Sequence, residues 1–266
     1  NMDQVVKPET GIRFRKVLIF LIVGVILLLW LLNTPPGLFG KADAIGYAVC
    51  HQIDLRSFHI GDRAMPLCAR CSGMYLGAVL SLVFLSIISP KHAGTPSKLI
   101  MFFLGTLVLL FVLDGINSYL NLPFFTSAPS LYEPNNITRL LTGTGMGIVL
   151  AVILYPAFNQ TIWMDWKPKR IFTNTWSFIS LLFLAVLIDL IVLTENPVFL
   201  YPLALVSVLG VIVLLTMVYG MLILILFRRE NQIKNIRVLI IPILAGFGVA
   251  IIQIGALDFI RYMLTG

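Results

Sequence analysis

The chain has 266 residues, 59% of them hydrophobic and only 12% charged, with a formal net charge of +7. A soluble domain carries roughly a quarter charged residues, so this composition excludes a water-soluble globule and fits an integral membrane protein. The basic residues gather at the ends of apolar runs rather than along one face, which excludes nucleic acid as a partner and makes them a topology signal.

A bilayer-crossing helix needs about 20 apolar residues, and the sequence supplies seven such runs, at 17–33, 72–89, 98–120, 139–158, 176–194, 202–227 and 237–260. The first (VLIFLIVGVILLLWLLN) follows basic residues, but it is too long for a signal peptide and lacks a small-residue cleavage site, so it reads as a retained span. Asn1, ahead of Met2, reads as an added residue. There is no internal repeat, low-complexity tract or Gly/Ser linker. The expectation is one integral membrane domain over 1–266, an all-α polytopic bundle in which each helix satisfies its own backbone.

Lys7, Arg13, Arg15 and Lys16 precede the first span, Lys91 and Lys98 flank the second connector, Lys167, Lys169 and Arg170 lie in the fourth, and Arg228, Arg229, Lys234 and Arg237 in the sixth. By the positive-inside rule these ends are cytoplasmic, as is the N-terminus of a multi-pass protein of the cell membrane. The third and fifth connectors (NLPFFTSAPSLYEPNNIT and ENPVFL) lack Lys and Arg and belong outside. The first connector, 34–71, carries Lys41, Arg56, Arg63 and Arg70 against that rule, accompanied by Asp43, Asp54 and Asp62; the other segments outvote it and place it outside.

That connector holds all three cysteines and two of the three histidines, in CHQIDLRSFHIGDRAMPLCARC. Ile45, Val49 and Ile53 at four-residue spacing predict a helix over 42–52 lying along or dipping into the interface. Pro66 breaks the chain ahead of the second span, so Cys68 and Cys71 fall in its first turn, where the helix dipole and Arg70 favour thiolates. Cys50, Cys68 and Cys71 with His51 or His59 make a donor set that suits zinc. Adjacent Cys50 and His51 point about 100° apart on a helix, so only one of them is expected to ligate. Two readings compete: a thiol-disulfide oxidoreductase passing electrons from Cys68/Cys71 to quinone, and one structural disulfide with a leftover thiol.

A second constellation is expected at the same end. Asp114 lies near the outer end of the third span with Asn117 on its face, and an ionisable residue within a span is paired or functional. Its natural partner is Arg139, opening the fourth span. The bridge either clamps two helices, or the carboxylate serves as metal ligand or general base while Arg139 and Asn136 hold an anionic group. Gly73 and Gly77 form a G-x-x-x-G pair, and Gly143, Gly145 and Gly147 line the fourth span; both sets read as packing faces. The glycines after Arg139 and Thr142 leave a phosphate-binding alternative. Asp189 is the deep carboxylate of the fifth span, Asp258 and Arg261 read as a local pair, and His92 as solvated. Trp163, Trp166 and Trp176 read as an interfacial belt.

The run Cys50-His51-Gln52, then Arg56-Ser57-Phe58, then Pro66-Leu67-Cys68-Ala69-Arg70-Cys71-Ser72-Gly73, with Tyr75 and Gly77, resembles a family of prokaryotic membrane proteins catalogued as domain of unknown function 2085. LDGINSYL and NNITRLLTGTGMG extend the resemblance across 46–150. It implies that these residues form one site and assigns that site no activity. The functional expectation is therefore a zinc-binding membrane protein with metal ligands among Cys50, His51, His59, Cys68 and Cys71, and Asp114, Asn117 and Arg139 as catalytic candidates. Such a site would act on a lipid or other amphiphile at the outer leaflet. A carrier for a metal ion or an anionic lipid is a further alternative.

Overall fold

A computed structural model describes residues 9–121 and 131–265. Lys7 of the basic tail and residues 122–130 of the third connector lie outside the described residues. The chain runs through α1 (Glu9–Leu32), α2 (Gly37–Val49), α3 (Ala69–Ile88), α4 (Lys98–Leu120), α5 (Asn136–Ile162), α6 (Thr175–Leu193), α7 (Pro197–Leu226) and α8 (Ile236–Thr265). Among the described residues six helices, α3 to α8, are long and apolar enough to cross a membrane. Helices α1 and α2 meet at a bend of 102° and together make either a seventh, broken span or a re-entrant segment.

The helix starts are written locally. Ser97, Asn135, Asn174 and Asn196 each cap a helix by accepting a backbone N–H with the side-chain oxygen. Asn196 corrects the expected fifth connector: ENPVFL shrinks to Glu195 and Asn196. Pro197 sits at the first helical position, where a missing N–H is harmless, and α7 therefore begins five residues before 202.

The bundle is organised around α3 and α5, which touch backbone to backbone. A β-carbon on Gly77 would lie 2.5 Å from the Thr144 carbonyl, and β-carbons on Gly73, Gly143 and Gly147 would overlap the carbonyls of Leu140, Arg70 and Met74. The glycines thus serve packing, as small-residue faces do between helices that lack a hydrophobic drive to associate. Helix α7 packs on α3, α8 on α7, and α1 and α2 against α8. Residues such as Phe102, Phe103, Phe183 and Leu226 point outward, the surface expected of helices in lipid.

One end of the bundle is basic. There β3 (His92–Gly94) runs parallel to β4 (Lys167–Arg170), tying two connectors together. His92 is buried in that pairing, its Nδ1 lying 3.0 Å from the Arg170 carbonyl oxygen, which corrects the solvated reading. Lys91 sits over the Trp163 ring at 4.4 Å and pairs with Asp165 at 2.8 Å. At the opposite end a short hairpin, β1 (His59–Ile60) with β2 (Arg63–Ala64), turns through Gly61 at φ +64° and leads into α3.

Candidate functional site

Three cysteines separated by up to 21 positions converge at the end opposite the basic one. The sulfurs of Cys50, Cys68 and Cys71 lie within 4.8 Å of one another and, among the described residues, form the one group of three or more metal-ligating side chains. Cys50 is 5% exposed and Cys68 2%, while Cys71 is half-buried. Three sulfurs on one tetrahedral zinc at about 2.3 Å would be separated by roughly 3.8 Å, so this grouping needs only a small contraction to hold an ion.

Local features bring the sulfurs together. Helix α2 ends at Cys50, whose extended backbone turns the chain away from the helix axis. Gln52 follows in the left-handed region at φ 50°, a conformation costing a non-glycine residue about 1 kcal/mol. Its side-chain amide donates to the carbonyls of Asp43 (3.2 Å) and Pro66 (2.9 Å), offsetting that strain and pinning the segment before α3 onto α2. Gly46 makes the crossing feasible, because a β-carbon there would overlap the Pro66 carbonyl. From α8, Arg261 donates to the carbonyls of Tyr47 (2.6 Å), Cys50 (2.5 Å) and His51 (3.1 Å), closing the last turn of α2. Neither Gly46 nor Arg261 is flagged by motif spacing; each acts through tertiary contact.

The sulfur environment favours thiolate at Cys50. Its sulfur accepts the Cys68 backbone N–H at 3.3 Å and faces that of Gln52. Hydrogen bonds from the Cys68 and Cys71 thiols are the largest influence holding the Cys50 thiol below its ordinary range, while the bond to Cys50 holds Cys68 protonated and above it. A divalent cation would displace the shared protons, since metal ligation requires thiolates.

The histidines do not join this group. His59, on β1, lies 3.1 Å from Asp54 Oδ1 and faces outward with its hairpin. His51 accepts the Ile53 backbone N–H on Nδ1 at 3.0 Å, which leaves the proton on Nε2 and makes that nitrogen a donor rather than a ligand. Burial, followed by the charges of Arg56, Arg70 and Arg139, holds its pKa below the ordinary value despite the opposing pull of Cys50.

The second constellation is assembled with a different partner. Asp114 is 1% exposed and pairs with Arg70, not with Arg139. Arg70 leaves the first turn of α3 toward α4, bonding Asp114 Oδ2, the Asp114 carbonyl (3.2 Å) and Ser118 Oγ (3.0 Å), with Phe111 beneath its guanidinium at 5.8 Å. Tyr132 donates to Asp114 Oδ1 at 2.5 Å and Thr142 to Oδ2 at 3.4 Å. With both oxygens so engaged, the carboxylate clamps α3, α4 and α5 and is poorly placed as a general base. Asn117 holds the chain beyond, donating to the Tyr132 carbonyl (2.9 Å) and accepting from the Leu131 N–H (2.8 Å). Arg139 is 7% exposed and donates from Nη1 to Asn136 Oδ1 at 3.1 Å. Deeper in the bundle, Asp189 accepts from Thr144 at 2.7 Å across α5 and α6.

Helices of this length and exposed apolar surface, carrying a cysteine cluster at one end, define a polytopic helical membrane protein. A family profile described as a predicted membrane protein, DUF2085, matches residues 50–153, the stretch holding both constellations from Cys50 to Arg139. An uncharacterised protein of Methanothermobacter thermautotrophicus is 32% identical over 105 residues, 40% of this chain and 83% of that protein. One from Methanocaldococcus jannaschii is 27% identical over 125 residues, 47% of this chain and 72% of that protein. The chain belongs to the DUF2085 family. No solved structure matches it.

Proposed function

We propose that the protein is a zinc-binding protein of the cell membrane, with Cys50, Cys68 and Cys71 as thiolate ligands on the extracytoplasmic side. The observation that carries this reading is the convergence of three sulfurs, one of them receiving a backbone N–H. A disulfide would use two of the three sulfurs at a time, with Cys50 left as a resolving thiol, whereas a metal ion engages all three together. Soft thiolates suit zinc over the oxygen-seeking cations.

Three protein ligands leave a fourth position for water or substrate, the arrangement of catalytic rather than structural zinc sites. Bound there, zinc would supply an activated water at neutral pH for hydrolysis of a lipid or other amphiphile reaching the site from the outer leaflet. The chain's own residues shape the ion's surroundings: Arg261 and Gln52 fix the carbonyl and thiol geometry, and Arg70 with Asp114 holds the start of α3 in place. Metal analysis of protein purified without added zinc tests this reading. It predicts stoichiometric zinc, lost in Cys68→Ser and Cys50→Ser. Metal-free protein whose Cys68 and Cys71 cycle between dithiol and disulfide would replace it with the quinone-linked oxidoreductase.

A further inference from the structure

Positive charge accumulates beside the sulfur cluster without matching carboxylates. Arg70 is neutralised by Asp114, but neither Arg56 nor Arg139 makes an ion pair among the described residues. Arg139 is 7% exposed, and its Nε is buried with no hydrogen-bond partner among the described residues; the same holds for Nε of Arg70. A buried guanidinium donor left unmatched is destabilising, so each of these groups calls for a further acceptor.

The geometry gathers these groups in one place. Asn136, in the first turn of α5, accepts from Arg139 while its amide reaches the carbonyls of Leu55 (3.4 Å) and Ser57 (3.5 Å), which bracket Arg56. Helices α3 and α5 both begin here, adding the positive ends of their dipoles. Of the three guanidiniums, only Arg70 has a carboxylate partner among the described residues, and Arg56 and Arg139 remain without one.

We propose that Arg139, Arg56 and Arg70 bind the phosphate group of a phosphorylated ligand next to the thiol cluster. Guanidinium forks match phosphate oxygens two at a time, and three of them suit a doubly charged group better than a carboxylate. The proposal rests on the zinc reading for its meaning as substrate recognition, but its binding test stands apart from the metal.

The test is the melting temperature of the full chain with sodium phosphate against sodium chloride at equal ionic strength, in detergent, together with nanodiscs of phosphatidylcholine with and without phosphatidic acid. The expected result is phosphate-specific stabilisation of the wild type. Arg139→Gln and Arg56→Gln should need at least about tenfold more phosphate for the same shift, and Arg139→Lys should respond in between. A response to inorganic phosphate identifies a free phosphate compound as ligand; a response to phosphatidic acid alone identifies a lipid headgroup. If Arg139→Gln fails to fold, the half-buried Arg56→Gln decides. Wild type indifferent to both probes, or variants that respond like wild type, overturns the proposal. Zinc content measured on the same samples separates the two readings: zinc-loaded protein that ignores both probes removes the phosphate site alone. Zinc-free protein that responds supports the phosphate site and removes the metal.

Discussion

Replacing Gly77 by alanine adds one methyl group where α3 and α5 touch backbone to backbone. The new carbon would stand 2.5 Å from the Thr144 carbonyl, whereas ordinary contact begins at 3.4 Å, so the helices must part by about 0.9 Å. The obstacle is main chain and has no rotamer by which to yield. Overpacking of this kind costs about 1–3 kcal/mol, against which alanine's helix preference returns less than about 1 kcal/mol. Gly105, on α4, has nothing within 4 Å of its hypothetical β-carbon and supplies the control. Thermal unfolding in detergent should show Gly77→Ala several degrees below wild type and Gly105→Ala at or slightly above it. Because Arg70, Cys71 and Arg139 ride on the same helix pair, Gly77→Ala should also weaken metal retention. Equal melting temperatures for the two variants would refute the close α3–α5 contact and, with it, the geometry on which the site depends.

Breaking the buried Arg70–Asp114 pair from one side, as in Asp114→Ala, should destabilise the protein by about 3–5 kcal/mol, and the double change Arg70→Met with Asp114→Leu should recover much of that loss in unfolding measurements. Tyr132 is held above its ordinary ionisation by burial first and then by its bond to Asp114. The stability it lends is therefore full below about pH 10, where an unfolded tyrosine ionises, and is lost as pH rises through the higher folded value; Tyr132→Phe should remove that alkaline slope from melting curves. Arg261→Ala removes no ligand but frees the carbonyls around Cys50, and should speed zinc loss to a chelator by about tenfold or more with zinc stoichiometry unchanged at saturation.

The spans were legible because hydropathy over about 20 residues is a property of composition alone. Lys98–Leu120 matches the expected third span, while α5 and α7 start earlier than expected because the Asn135 cap and the Asn196 cap with Pro197, rather than hydropathy, set those boundaries. Cys50, Cys68 and Cys71 were legible from residue type and from a proline-broken helix start. The histidines illustrate what spacing cannot say: His51 neighbours a ligand in sequence, yet its Nδ1 is taken by the Ile53 N–H, and His59 turns outward on its hairpin. Likewise Asp114 met Arg70 instead of Arg139 because partner choice depends on which side of α3 faces α4, a matter of helix rotation and tertiary packing. Arg56 stood in the family pattern without a role for the same reason, since the bonds from Asn136 that bring it beside Arg139 span some 80 positions.

Zinc K-edge X-ray absorption of the purified, unreconstituted protein tests the central claim most directly. The account predicts about three sulfur neighbours at about 2.3 Å and a light-atom neighbour at about 2.0–2.1 Å, with the sulfur shell depleted in Cys50→Ser. A sample without zinc, or zinc bound through oxygen and nitrogen alone, would contradict it.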